Sequence, residues 1–196
     1  MLLATEMNYL VQRVGYPLHK IFDCIGGTSI GGILALAATG TTDGYHPVAD
    51  TEQMMEIFAK YGNQIFKKSQ IRNFTNLFDT KYSAQSFESV MKNYFKDCKL
   101  SNCLEETNVV VTAVNRIDNK DYIFRSMEAL LNRNKDFYMR DVARATSAAP
   151  TFFSSAEIKN VDATNKFSFV DGGMGMNNPS KLVIDEIKKI SANSGS

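Results

Sequence analysis

The chain has 196 residues, and its 22 Lys and Arg against 21 Asp and Glu leave a formal charge of +1. So even a balance gives no electrostatic footing for nucleic acid. A hydrophobic share of 44% and a charged share of 22% are ordinary for a globular protein. The length suits a single domain over 1–196, with an ordered core over 1–190 and a frayed tail over 191–196.

In chain order, Leu3, Met7, Leu10, Val11 and Val14 recur at helical spacing. No apolar run approaches the roughly 18 residues of a membrane-crossing helix. Glu6 and Asn8 interrupt the opening, which also lacks the basic start of a secretory signal. The expected location is therefore the cytoplasm or a membrane periphery, with secretion left open should the natural chain begin upstream of Met1. Ile21 to Ile25 reads as a short buried strand and Ile33 to Ala38 as a helix. Asp50 with Gln53 predicts a capping box, opening a helix whose stripe is Met54, Ile57, Phe58, Tyr61 and Ile65. Between Lys67 and Leu77, Lys67, Lys68 and Arg72 mix with Ile71, Phe74 and Leu77. A solvated loop with core anchors explains that mixture better than a membrane contact.

A further helix is expected from Ser83, with Phe87, Val90, Met91 and Tyr94 inward. Ser89 and Lys92 match S-x-x-K by chance, mid-helix and without partner motifs. Asn108 to Val114 predicts a buried strand, and Tyr122 to Phe124 its neighbour across the turn at 118–121. Phe167 to Val170 alternates as a strand. Asn178 and Pro179 predict the cap and first residue of a last helix that faces Val183, Ile187 and Ile190 inward. Cys24, Cys98 and Cys103 show no zinc spacing and suggest a reduced compartment, and no metal or cofactor is expected.

The stretch Gly26-Gly27-Thr28-Ser29-Ile30-Gly31-Gly32 stands between predicted strand and predicted helix. Within it, Gly27-x-Ser29-x-Gly31 matches the turn that exposes a serine nucleophile at the mouth of a sheet. Flanking glycines let the turn close without side-chain collisions. The following helix aims its unpaired N–H groups, Ile30 first, at a developing oxyanion.

A serine hydroxyl needs a base, and the only histidines are His19 and His46. His19 precedes the strand and falls at its far end, and His46 could fold back only by a special path. They read as a surface and a loop residue. Asp171, at the tip of the last strand and followed by Gly172 and Gly173, is a better-presented base, able to reach the serine from the tip of a neighbouring parallel strand. Taken alone, Asp-Gly-Gly is also a common turn.

These two motifs, with Ala145-Thr146-Ser147-Ala148-Ala149-Pro150 between them and Asn177-Asn178-Pro179 after them, resemble the patatin-like phospholipase family in order and spacing. The resemblance spans almost the whole chain. It implies a three-layer α/β/α fold on a central, mostly parallel sheet, and a Ser29–Asp171 dyad that needs no cofactor and hydrolyses acyl esters of lipids at a transient membrane surface. Read from its residues alone, the stretch 145–153 is packing that lets helix and loop sit close to the sheet beside the site, with Phe152 and Phe153 as candidates to line an acyl pocket.

The family's Asp-Gly-Gly-Gly-x-Arg-Gly loop, which supplies much of the oxyanion hole after the first strand, has no counterpart before the nucleophile. The first strand is thus expected to be missing, leaving a sheet edge open to self-association. A fragment, a degenerate homologue and donors from another chain all remain explanations. The rival reading is an impaired homologue that binds lipid or a partner.

Overall fold

A computed structural model describes residues 2–66, 77–150 and 152–194. The β-branched run becomes β2 (Asn108–Asn115), and Val109 through Val114 are all buried. Burial on both faces is what a continuous apolar strand under helices on either side requires. Along one edge of β2, β1 (Cys24–Thr28) pairs in parallel, from Cys24 opposite Asn108 to Thr28 opposite Thr112. The opposite edge takes β3 (Lys120–Arg125), antiparallel, after a turn with Asn119 at φ 54°. Because β3 overlaps the whole of Val110 to Asn115, β5 (Lys166–Asp171) must share the edge of β1. It pairs antiparallel there, from Ala113 opposite Asp171 to Asn115 opposite Phe169. Finally β4 (Ala156–Lys159) pairs antiparallel with β5.

The fold is thus α/β on an open mixed sheet. The parallel pairing expected of it is kept at β1–β2, and the other three pairings are antiparallel. Helices are α1 (Leu2–Val14), α2 (Leu18–Ile21), α3 (Ile30–Thr39), α4 (Thr51–Phe66), α5 (Leu77–Phe95), α6 (Ser126–Leu131), α7 (Met139–Thr146) and α8 (Ser180–Ser194). On the face of Val109, Val111 and Ala113 lies the main core, under α3 and α7. The other face carries α8, so close that a Cβ on Gly26 would stand 2.3 Å from Val183. Three layers result, as the sequence implied.

Local expectations fare unevenly. The capping box closes as read, with Gln53 N–H donating to Asp50 Oδ1 at 2.8 Å and Asp50 N–H to Gln53 Oε1 at 3.0 Å. Asn178 Oδ1 likewise caps α8, accepting the Ser180 N–H at 3.0 Å. Other boundaries move. Ile21 ends α2, and β1 begins only at Cys24, so the glycine pair is itself strand. α5 starts at Leu77, before Ser83, and α8 runs on to Ser194, past the expected tail at 191. On α1, Leu3 and Val14 are exposed and Ala4 is the buried residue. Ile187, expected inward, is exposed: α8 turns Val183 toward Gly26 and the buried Glu186 toward Arg125, whose Nε lies 3.2 Å from its carboxylate. The side chains of Phe58, Tyr61 and Ile65, and the segment 67–76, lie outside the described residues. Among the described residues no helix is long and apolar enough to cross a membrane.

Candidate active site

Ser29 sits between the end of β1 and the first residue of α3, at φ 55° and ψ −125°. Such a backbone costs a non-glycine residue about 1–3 kcal/mol, so its surroundings must hold it. The turn is very tight. A Cβ on Gly27 would lie 2.1 Å from the Gly31 carbonyl oxygen, and one on Gly32 would lie 3.0 Å from both Thr146 and Val111. Gly31 differs from the sequence expectation, since the nearest atom to its Cβ position is Leu3 Cδ2 at 3.9 Å. Steric need therefore explains Gly27 and Gly32 but not Gly31.

Asp171 is the last residue of β5, buried at 6% exposure. The Ser29 hydroxyl donates to its Oδ2 at 2.7 Å. Its Oδ1 accepts the Gly173 N–H at 2.7 Å, and its own N–H donates to Ala148 O at 3.1 Å. A parallel neighbour was expected to carry the aspartate. Instead β1 and β5 arrive from opposite ends of one edge of β2 and stop at adjacent residues, Thr112 and Ala113. The tips of the two strands therefore face each other. Gly172 is required at this junction, where a Cβ would stand 2.5 Å from Thr112 O.

Hydroxyls lock the meeting point. Thr28 Oγ1 and Thr112 Oγ1 lie 2.7 Å apart, with Met176 O at 3.1 and 3.2 Å from them, which straps the loop after Asp171 to the sheet. Thr146 Oγ1 accepts the Ser29 N–H at 2.8 Å. Sequence reasoning placed Thr146 only in a packing block, and its link to Ser29 spans 117 residues. Ile30, the first residue of α3, presents an N–H with no intrahelical acceptor at the positive end of the helix.

The Ser29 hydroxyl is hydrogen-bonded to Asp171 rather than to either histidine. His46 is exposed as expected, with Nδ1 2.8 Å from Asp43 Oδ2. The Asp43 carboxyl is held well below its usual range, chiefly by the His46 backbone N–H. His19 is not a surface residue. It is 5% exposed, and burial, followed by the charge of Lys20, lowers its pKa. Phe153 is buried in the core, its ring 5.5 Å from that of Phe87. An apolar cavity behind α3 is lined by Ile33, Ala37, Met54, Phe87, Met91 and Phe95 among others.

A sequence model described as patatin-like phospholipase matches residues 6–184. Patatin-like protein 2 of Oryza sativa subsp. indica is 27% identical over 95% of this chain and 49% of its own length. Patatin-like protein 7 of Arabidopsis thaliana is 30% identical over 94% of this chain and 38% of its own. Another Arabidopsis thaliana relative, named probable inactive patatin-like protein 9, is 29% identical over 87% of this chain and 44% of its own. The chain thus spans about half the length of the curated relatives it matches, or less. With that family's sequence pattern running through nearly every element that builds this sheet and its serine turn, the chain belongs to the patatin-like phospholipase family.

Proposed function

We propose that this chain is a lipid acyl hydrolase of the phospholipase A type, with Ser29 as nucleophile and Asp171 as its base. The observation that carries the reading is the 2.7 Å hydrogen bond from Ser29 Oγ to Asp171 Oδ2. As Oγ attacks the acyl carbonyl, its proton passes to Asp171. The tetrahedral oxyanion forms beside the Ile30 N–H and the positive end of α3. Collapse breaks the ester C–O bond, the Asp171 proton goes to the departing alkoxide, and an acyl-Ser29 ester remains. Water then gives a proton to Asp171 and attacks that ester, releasing the fatty acid and restoring both residues. The Gly173 N–H on Oδ1 keeps Oδ2 aimed at the serine throughout.

A membrane surface suits the surroundings. Leu2 and Leu3 are exposed on α1, where Leu3 approaches Gly31, and Met174 is 65% exposed three residues after Asp171. Exposed apolar groups beside the serine turn and in the loop after Asp171 support work at a membrane surface.

A second reading, an impaired homologue acting as a lipid-binding or interaction module, draws on two observations. One relative carries the name probable inactive. Among the described residues, β1 pairs with a strand on one edge only, leaving the other open to a second chain.

Fatty-acid release from phospholipid vesicles tests the choice. Ser29→Ala and Asp171→Asn are each expected to lower release by roughly 1,000-fold or more. Release that survives either substitution would remove the dyad, and a folded wild-type chain that releases nothing would favour the second reading.

A further inference from the structure

We propose that Thr146 is a positioning residue for the nucleophile, its buried hydroxyl holding the Ser29 amide and so aiming Ser29 Oγ at Asp171. The inference rests on Ser29 being the nucleophile, and its geometry is independent of any lipid. Thr146 is 0% exposed. Its Oγ1 proton goes to Thr112 O at 2.7 Å, which turns a lone pair toward the Ser29 N–H at 2.8 Å. A hydroxyl is the group that can accept and donate at one atom here. Valine has the same shape and does neither, whereas serine does both. Space for the side chain comes from Gly32, whose Cβ would stand 3.0 Å from Thr146 Oγ1 and Cγ2.

Two consequences follow for the reaction. The Ser29 N–H is turned inward, so the donors this turn can offer an oxyanion begin at Ile30. The serine is also pinned to the residue of β2 next to the one that registers Asp171, since Thr112 adjoins Ala113. Two residues beyond Thr146, Ala148 O takes the Asp171 N–H. Residues 146–148 therefore grip both members of the pair, the serine through a side chain and the aspartate through backbone. Loss of the Thr146 hydroxyl frees only the serine, and a small misplacement of a reacting atom is costly.

The test compares Thr146→Val with Thr146→Ser. It uses covalent labelling of Ser29 by a fluorophosphonate, kcat and KM for fatty-acid release, and hydrogen exchange at the Ser29 amide, with thermal melts as the folding control. In Thr146→Val, labelling and kcat are expected to fall about 10- to 100-fold, with KM within about twofold and faster exchange at Ser29. Thr146→Ser is expected to return all three to within about threefold of wild type. A folded Thr146→Val that labels and turns over like wild type would overturn the proposal. So would losses in both variants that merely track their melting temperatures. Should the valine variant not fold, Thr146→Ala, whose cavity can admit water, replaces it. Alanine slower than serine at equal folded fraction supports the proposal, and equal rates overturn it. A wild-type chain that neither labels nor releases fatty acid refutes the dyad, while exchange at Ser29 still decides whether Thr146 holds that amide.

Discussion

At Ser29 a strained backbone is kept in place by contacts from far along the chain, and the glycines around it contribute unequally. A methyl group at Gly27 would meet the Gly31 carbonyl at 2.1 Å, and both partners are backbone within one turn. Neither can move aside without opening the turn. Gly27→Ala is expected to cost about 3 kcal/mol or more, at the top of the overpacking range, and to show it in urea denaturation. Gly31 lies inside α3, where a Cβ would make only an ordinary contact with Leu3 at 3.9 Å. Gly31→Ala is expected to raise stability by about 0.5–1 kcal/mol in the same experiment, because alanine loses less conformational freedom in a helix. Equal losses in the two variants would show that the turn is not limited by the Gly27 contact.

Among the elements, α3 and α4 are built on different terms. Every residue of α3 from Gly32 to Thr39 is buried, so its position is set by packing on β1 and β2 rather than by an amphipathic stripe. α4 is started locally, by the reciprocal bonds of Asp50 and Gln53. Removing such a cap typically costs about 0.5–2 kcal/mol. Asp50→Ala should therefore lower the melting temperature and raise hydrogen exchange in the first turn of α4. Exchange there as slow as in the wild type would mean that packing against α1, not the cap, holds that end. The β strands show the same division. The β2–β3 hairpin follows from neighbouring residues, while the place of β5 on the edge of β1 follows from contacts across the whole chain.

The molecule as a whole carries a weakness on its alkaline side. Burial pushes the Cys24 thiol up to about 12, the Cys98 thiol to about 11 and the Tyr122 phenol to about 12. All three are neutral acids in the folded chain whose charged forms are penalised there. Once pH passes about 8.5, thiols ionise in the unfolded chain and stay protonated in the folded one. The unfolded state then binds fewer protons, so stability falls with rising pH. The urea midpoint is expected to drop steadily between pH 8 and pH 10, and less so in Cys24→Ser. A flat profile would show that these thiols are solvated in solution.

By itself the sequence determined the parts whose cause lies within a few residues. The strand–serine–helix turn, the hairpin after Asn115, the caps at Asp50 and Asn178, and Asp171 at a strand tip all depend on local backbone preference and short-period patterning. The tertiary structure alone decided that β5 runs antiparallel and meets β1 end to end. It decided that His19 is buried, and that Thr146 rather than a nearer residue holds the Ser29 amide. The reason is physical. Ser29 and Asp171 are 142 residues apart, and what joins them is the register of two strands on one edge of a third. Alternation along a strand says which side chains face the core but not which edge the strand will occupy, nor from which end it will arrive.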